Sequence, residues 1–191
     1  VFDSLSEIAR NKQFQVKAVN FSAYGASLVN LDVNGNTVGP MYNYLKPYPD
    51  RLLDEFYGGD GGIESFSLQT ASPSRGSLNC GLQLYLLKKE KPDLFNKTAY
   101  ALHLPQYLSF LLTGRCYSDL TSIGCHTGIW NFGENRYHEW VHHEGVSLKF
   151  APIEPSVRPF WPLCFGGSFK VGIGRHDSSA TVVPYLFNVS E

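Results

Sequence analysis

Residues 170–183 constrain the fold most, because they combine a strand, a tight turn and the start of a helix in one short stretch. Residues 170–173 read as a strand, residues 174–177 as a turn, and residues 178–183 as a helix. In α/β proteins such a corner gathers free backbone N–H groups at the N-terminus of a helix, and ligand sites are found there. The pattern predicts an α/β fold with a candidate site at this corner.

Two further strands are predicted near the start of the chain. Residues 16–21 alternate polar and apolar side chains, and residues 27–33 form a second extended run that ends at the turn signal Asn34-Gly35-Asn36. The loop between the two strands carries Tyr24 and Gly25. The pattern therefore predicts a strand, a short loop and a hairpin.

Three helices are predicted in the middle of the chain. Residues 78–89 place their apolar side chains along one stripe and end in lysines before Pro92, which is typical of a helix C-terminus. Residues 104–112 are nearly all apolar and are followed by Gly114, a common residue just after a helix. Residues 137–144 are predicted to form a third, more polar helix.

The remaining segments carry weaker patterns. Residues 39–77 are rich in Gly, Pro, Tyr and Asp, and we expect a long excursion with short helices packed by tyrosines. Residues 1–9 have the apolar spacing of the tail of a helix, so the chain is expected to begin within a domain. The four cysteines lie far apart without a Cys-x-x-Cys pair, which favours buried free thiols over a zinc ribbon or a disulfide scaffold.

The composition excludes several classes of function. The chain has 191 residues, of which 43% are hydrophobic, and 16 Lys plus Arg balance 17 Asp plus Glu. A nucleic-acid or anionic-membrane partner would need a clustered excess of basic residues, so neither is expected. No apolar run approaches the roughly 18 residues of a membrane span, and residues 1–10 do not resemble a signal peptide. These features predict a cytoplasmic protein.

Asp177 is the strongest candidate for a functional residue from spacing alone. It lies just past a predicted strand, next to His176, where the turn would hold a carboxylate rigidly towards a ligand. The alternative is that Asp177 only caps the helix that begins at Ser178, which Asp does well. Spacing alone does not separate the two roles.

A second motif points to different chemistry. His138-Glu139-Trp140-Val141-His142 matches His-Glu-x-x-His, in which two His one helical turn apart bind Zn²⁺ and the Glu acts as general base. A third His would be expected at position 148, where the chain has Leu148, and the prolines flanking Glu154 favour a loop over a ligand-bearing helix. A solvated polar helix is the simpler interpretation, and a zinc peptidase is the distant alternative.

Several ordered stretches resemble the FGGY carbohydrate kinases. Residues 107–114 match the family's helix end, Tyr-Leu-x-x-x-Leu-Thr-Gly, and residues 121–131 match the Ser/Thr-rich stretch that follows it. Residues 24–32 look like the family's sugar-site loop, in which an aromatic residue and a Gly precede a strand. Residues 174–180 are similar to the rhamnulokinase-type signature His-Asp-Ser/Thr.

The resemblance implies a ribonuclease H-like, actin-like ATPase fold, and an incomplete one. Residues 1–165 would belong to the N-terminal domain without its first strands and phosphate loop, and residues 166–191 would start the C-terminal domain. The chain has neither the P-loop motif nor Gly-x-Gly-x-x-Gly. The implied activity is ATP- and Mg²⁺-dependent phosphorylation of a ketose such as L-rhamnulose, L-fuculose or xylulose. The alternative is a noncatalytic, sugar-binding remnant that lacks the nucleotide site.

The resemblance also assigns roles to residues. Asp177 would accept the proton of the sugar hydroxyl, and an ionised carboxylate is favoured at a helix N-terminus. Tyr24, Gly25, His176 and Ser178 would bind the sugar, and no metal ligands are predicted. The chain departs from the family pattern at Tyr24, where Trp or His is more common. It also departs at two positions where an acidic residue is common, which are Gln106 and Asn131. A homo-oligomer is compatible with this interpretation.

Overall fold

The computed structural model describes residues 1–59, 61–155 and 169–188. The α-helices within these residues are α1 (Phe2–Arg10), α2 (Asp50–Gly59), α3 (Gly62–Thr70), α4 (Cys80–Glu90), α5 (Pro92–Lys97), α6 (Leu104–Thr113), α7 (Leu120–Ile123), α8 (Glu139–His143) and α9 (Asp177–Asn188). The strands are β1 (Ala18–Val19), β2 (Ser22–Ala23), β3 (Leu28–Leu31), β4 (Tyr100–His103), β5 (Trp130–Asn131), β6 (Arg136–Tyr137), β7 (Lys170–Val171) and β8 (Arg175–His176). Short 3₁₀ turns cover Gly76–Leu78 and Val146–Lys149.

Two parallel strand pairs join the start of the chain to its end. β1 pairs with β7, and β2 pairs with β8 so that Ala23 lies opposite His176. Backbone hydrogen bonds continue between the pairs, because Gly172 N–H donates to the Val19 carbonyl at 2.9 Å and Arg175 N–H donates to the Phe21 carbonyl at 2.9 Å. The α/β prediction is thereby confirmed. Residues 16–21 were predicted as one strand, whereas the strand within them is only β1, and β2 lies in the stretch that was predicted as a loop.

The strand predicted over residues 27–33 is present as β3, and it pairs with a strand that the sequence did not reveal. β3 runs antiparallel to β4, with Leu28 opposite His103. The turn at Asn34-Gly35-Asn36 is confirmed, and the Asp32 carboxylate accepts from the backbone N–H of Asn34 at 2.8 Å and of Asn36 at 2.9 Å. Three of the four β4 residues are buried. β4 therefore lacks the polar alternation by which a half-exposed strand is recognised.

The main core consists of aromatic rings packed edge to face. Phe56 contacts Phe66, Tyr85 and Trp140 with ring centroids 5.1–5.3 Å apart and near-perpendicular planes, the geometry that the ring quadrupole favours. Tyr48 is buried beside them and donates its hydroxyl to the Leu82 carbonyl at 2.9 Å. The expected excursion over residues 39–77 thus forms α2 and α3, and buried tyrosines pack it as predicted.

The predicted helices are present, with two differences in detail. α4 was expected to bury one stripe, but every residue from Cys80 to Leu86 is buried because other elements cover it on all sides. The helix expected over residues 137–144 is shorter, since Tyr137 belongs to β6 and α8 begins after His138. The predicted free thiols are observed for Cys80, Cys116 and Cys125, but only Cys80 is buried, since Cys116 and Cys125 are partly exposed. Cys164 lies outside the described residues.

Helix α6 packs on the segment between β7 and β8. Ser109 donates its hydroxyl to the Gly172 carbonyl at 2.8 Å, and Gln106 donates its amide to the Gly174 carbonyl at 3.0 Å. Gly174 has φ +90°, and a Cβ there would lie 2.4 Å from the Pro105 carbonyl oxygen. Only glycine fits this close approach, which fixes where β8 begins.

The domain boundary expected between residues 165 and 166 lies outside the described residues, so the division stays a prediction. Within the described ranges, no helix has both the length and the apolar character needed to cross a membrane.

Gly174→Ala is expected to lower the free energy of unfolding by several kcal/mol, because the methyl group would overlap backbone atoms that cannot move aside. Gly62→Ala is the matched control: Gly62 has φ +85° but nothing lies within 4 Å of its Cβ position. In the control, the free energy of unfolding should fall only by the cost of placing alanine in the left-handed conformation, about 1–2 kcal/mol. Chemical denaturation of both variants measures the difference, and equal losses would contradict the close approach.

His103 gives the folded chain a pH-dependent stability. It is 1% exposed, its Nε2 lies 3.4 Å from the Cys80 Sγ, and burial lowers the pKa of His103 to about 3. The unfolded chain takes up this proton below about pH 6.5 and the folded chain does not. The contribution of neutral His103 to the free energy of unfolding is therefore fully present above about pH 6.5. It is lost as the pH falls towards 3, by at most about 1.4 kcal/mol per pH unit.

His103→Gln is expected to flatten the decline of unfolding free energy between pH 7 and pH 5, because the variant has no proton to take up. His143→Gln, at an exposed histidine, should keep the wild-type decline. Urea denaturation at several pH values measures both slopes. The same slope in His103→Gln as in the wild type would show that His103 does not cause the pH dependence.

Candidate functional site

The pairing of β2 with β8 brings the loop after β2 onto the corner before α9. Gly25 lies directly against the His176 imidazole: a Cβ on Gly25 would be 2.5 Å from Cδ2 and 3.3 Å from Nε2 of that ring. These two residues are far apart in the sequence, and the family resemblance implies that both bind the sugar. The structure brings them into contact.

His176 is buried and holds the first turn of α9. Its side chain is 4% exposed, and its Nδ1 accepts from the Ser178 backbone N–H at 3.2 Å. Burial lowers the pKa of His176, and the nearby carboxylates of Asp177 and Asp119 offset this only in part. A neutral imidazole that accepts at Nδ1 carries its proton on Nε2, which is the nitrogen on the Gly25 side. His176 was predicted to lie in a turn, but it pairs with Ala23 as part of β8.

Asp177 is the first residue of α9, one position earlier than the predicted start of that helix. Its Oδ1 accepts from the Ser178 N–H at 2.7 Å and lies 3.4 Å from the Ser178 hydroxyl. The side chain is 50% exposed, so part of the carboxylate faces solvent. The carboxylate therefore binds the backbone amide of the next residue in the first turn of α9, and half of the side chain remains accessible to solvent.

Tyr24 lies at the edge of this arrangement. It is 37% exposed, and its ring packs on Tyr44 with centroids 5.6 Å apart. Tyr44 belongs to the excursion before α2, so this segment supports the loop that carries Gly25. The exposed fraction leaves part of an aromatic face available to the C–H groups of a ligand.

A buried acid supports the corner from the other side. Asp119 is 2% exposed and caps α7 by accepting from the Thr121 N–H at 3.0 Å and from the Thr121 hydroxyl. The Thr121 hydroxyl oxygen also accepts from the His176 N–H at 3.1 Å. Burial raises the pKa of Asp119, although the hydrogen bonds from Thr121 oppose the rise. This chain of bonds ties α7 to β8.

Sequence reasoning did not assign the residues that build this support. Thr121, Cys125 and His126 lie in the Ser/Thr-rich stretch that carried the family resemblance, but only the fold places them beside β8. Gln106 is 2% exposed and positions the Gly174 carbonyl. Asn131 has a local role instead, since its Oδ1 accepts from the Glu134 N–H at 3.2 Å in the β5–β6 turn.

The His-Glu-x-x-His segment does not have the geometry of a zinc site. His138 precedes α8 as its N-cap, and its Nδ1 accepts from the Trp140 N–H at 3.3 Å. Its Nε2 lies 2.9 Å from the Gln69 Oε1. Both ring nitrogens of His138 are thus in protein hydrogen bonds. Nowhere in the described ranges does a group of three or more His, Cys, Asp or Glu side chains suit a metal ion.

Curated proteins similar to this chain are named rhamnulokinase. The rhamnulokinase of Oceanobacillus iheyensis is 28% identical over 178 residues, covering 89% of this chain and 37% of its own length. The rhamnulokinase of Enterobacter sp. is 24% identical over 182 residues, covering 88% of this chain and 35% of its own length. The chain therefore spans little more than a third of these relatives. No family model matches the chain.

Solved structures of carbohydrate kinases share the fold. A carbohydrate kinase from Novosphingobium aromaticivorans superposes with a TM-score of 0.83 at 23% identity, covering 95% of this chain and 40% of its own length. A ligand-bound xylulose kinase from Lactobacillus acidophilus gives a TM-score of 0.78 at 18% identity, covering 95% and 39%. The chain is thus similar in sequence to rhamnulokinases, and it shares its fold with carbohydrate kinases of the FGGY type, which have the actin-like ATPase fold.

Proposed function

We propose that this chain supplies the sugar-binding part of an ATP-dependent ketose kinase, with Asp177 as the general base. One observation carries the proposal: Gly25, His176 and Asp177, which the family resemblance singled out, meet at one corner although they come from opposite ends of the sequence. The similarity to rhamnulokinases supports L-rhamnulose as the first ketose to test, before L-fuculose and xylulose.

Asp177 would accept the proton of the reacting hydroxyl. A sugar hydroxyl is a poor nucleophile, and phosphoryl transfer depends mainly on holding its oxygen in line with the phosphorus atom. The half-exposed carboxylate can accept this proton while its Oδ1 stays bonded to the Ser178 N–H. That bond fixes the carboxylate at the start of α9, so little reorganisation is needed when the hydroxyl binds.

The neighbouring residues would bind and orient the sugar. The Ser178 hydroxyl and the Gly25 backbone are proposed as polar contacts, and the exposed part of Tyr24 as an apolar one. The burial of His176 makes it a positioning residue in this proposal, because its Nδ1 holds the Ser178 N–H and its ring packs on Gly25. His176 thereby links the two segments that would surround the ketose.

ATP and Mg²⁺ enter the proposal as co-substrates. In phosphoryl transfer the metal ion neutralises the charge that develops on the phosphate oxygens. Among the described residues, no group of three or more His, Cys, Asp or Glu side chains is placed to hold a metal ion. The steps that we assign to this chain are sugar binding, orientation of the hydroxyl and acceptance of its proton.

In the complete kinase to which this chain is proposed to belong, Asp177→Asn is expected to lower kcat for ketose phosphorylation by about 100-fold or more with little change in KM. The variant keeps the side-chain shape but loses the base. A coupled assay of ADP release with L-rhamnulose, L-fuculose and D-xylulose measures this. Asp50→Asn is the matched control, since Asp50 is also the first residue of a helix. A full rate in Asp177→Asn would remove Asp177 from the mechanism, and a 191-residue chain that binds ketoses without turnover would favour the noncatalytic alternative.

Gly25→Ala is expected to weaken L-rhamnulose binding about 10-fold, because the added methyl group must displace the His176 ring. Gly58→Ala, at a helical glycine with nothing within 4 Å of its Cβ position, should bind the sugar as the wild type does. Titration by NMR or calorimetry measures both affinities. Unchanged affinity in Gly25→Ala would separate the Gly25–His176 contact from sugar binding.

A further inference from the structure

The loop after α7 holds His126 in an unusual backbone conformation. His126 has φ +42°, in the left-handed region that few residues other than glycine adopt. Its carbonyl accepts from the side-chain amide of Asn79 at 2.8 Å, and Asn79 is 1% exposed. The buried Asn79 side chain thus holds the backbone of this strained residue in place. Backbone strain of this kind is often retained where it positions a functional group.

The Cys125 thiol is the hydrogen-bond partner of the His126 ring. The Cys125 Sγ lies 3.0 Å from His126 Nδ1. Burial raises the pKa of Cys125, and the charge of Asp177 raises it further, so the protonated thiol is able to donate a hydrogen bond to Nδ1. Burial, with a contribution from His176, lowers the pKa of His126. A neutral ring that accepts this bond at Nδ1 carries its hydrogen on Nε2.

His126 lies beside the residues proposed to bind and deprotonate the sugar. Its ring meets the His176 ring edge-on, with centroids 5.9 Å apart and an interplanar angle of 86°. The Asp177 carboxylate is close enough to act electrostatically on both His126 and Cys125. Among the side chains that the structure describes, none is bonded to His126 Nε2, and the residue is only half-buried.

We propose that His126 is a further substrate-binding residue, whose Nε2–H donates to a ketose hydroxyl next to the one that Asp177 deprotonates. The inference rests on the proposed function, since it names an additional contact in the same site. The proposed contact is a neutral hydrogen-bond donor that accepts no proton during the reaction. The bond to the Cys125 thiol fixes which ring nitrogen donates. A ligand without a hydroxyl at that position would lose this bond.

Two substitutions at His126 separate a ligand contact from a packing role. Asn tolerates the left-handed conformation, but its amide reaches only as far as Nδ1 of the histidine. Gln places an amide N–H near the position of Nε2. We expect His126→Asn to weaken L-rhamnulose binding about 3- to 10-fold, as for loss of one neutral hydrogen bond, and His126→Gln to recover part of that loss.

NMR titration of the wild type and both variants with L-rhamnulose, L-fuculose and D-xylulose gives the affinities. Long-range proton–nitrogen spectra of the sugar-free protein give the tautomer, which should be the Nε2–H form in the wild type and a mixture in Cys125→Ala. If the wild type binds none of the three ketoses, the proposed function fails, and this inference fails with it. If the wild type binds and His126→Asn binds equally well, only the role of His126 is overturned. Equal weakening in the Asn and Gln variants would likewise overturn it, because the ring would then act only by packing on His176.

Discussion

Backbone hydrogen bonds between two distant segments hold the candidate site together. Lys170, Gly172 and Arg175 donate their N–H groups to carbonyls of residues 17–21, at 2.9–3.0 Å. Bringing such distant segments together has an entropic cost, and the bonds from α6 to the Gly172 and Gly174 carbonyls help to offset it. The contact between Gly25 and His176 exists only because these strands are in register. Any change that shifts β8 therefore alters the site before it alters the core.

Burial determines the charge state of the histidines at the site. Burial lowers the pKa of His176 and of His126, so both rings are neutral donors and acceptors at physiological pH. Nδ1 of each ring is in a hydrogen bond with a neighbouring residue, whereas the half-exposed Asp177 carboxylate remains accessible. For this reason the proposed function assigns acceptance of the sugar hydroxyl proton to Asp177.

Different parts of the molecule were predictable to different degrees. The presence of α4 and α6, the turn after β3 and the helix start near Asp177 were predicted correctly, because each depends on local periodicity or turn chemistry. β4 was missed because it is short and almost wholly buried, and the start of α8 was misplaced because the pairing of Tyr137 with Trp130 overrides a local helical pattern. The support from Asp119 through Thr121 to His176 was also missed, since hydrogen bonds between distant segments leave no spacing signal.

The sequence by itself determined the residue types at the corner, the α/β class and the resemblance to sugar kinases, because motifs and periodicity are properties of neighbouring residues. The tertiary structure decided which of those residues meet. It placed Gly25 against His176, buried that histidine, left half of the Asp177 side chain exposed and set His126 beside them. The physical reason is that burial and proximity arise from the packing of segments far apart in the chain, and these two quantities control both protonation and access.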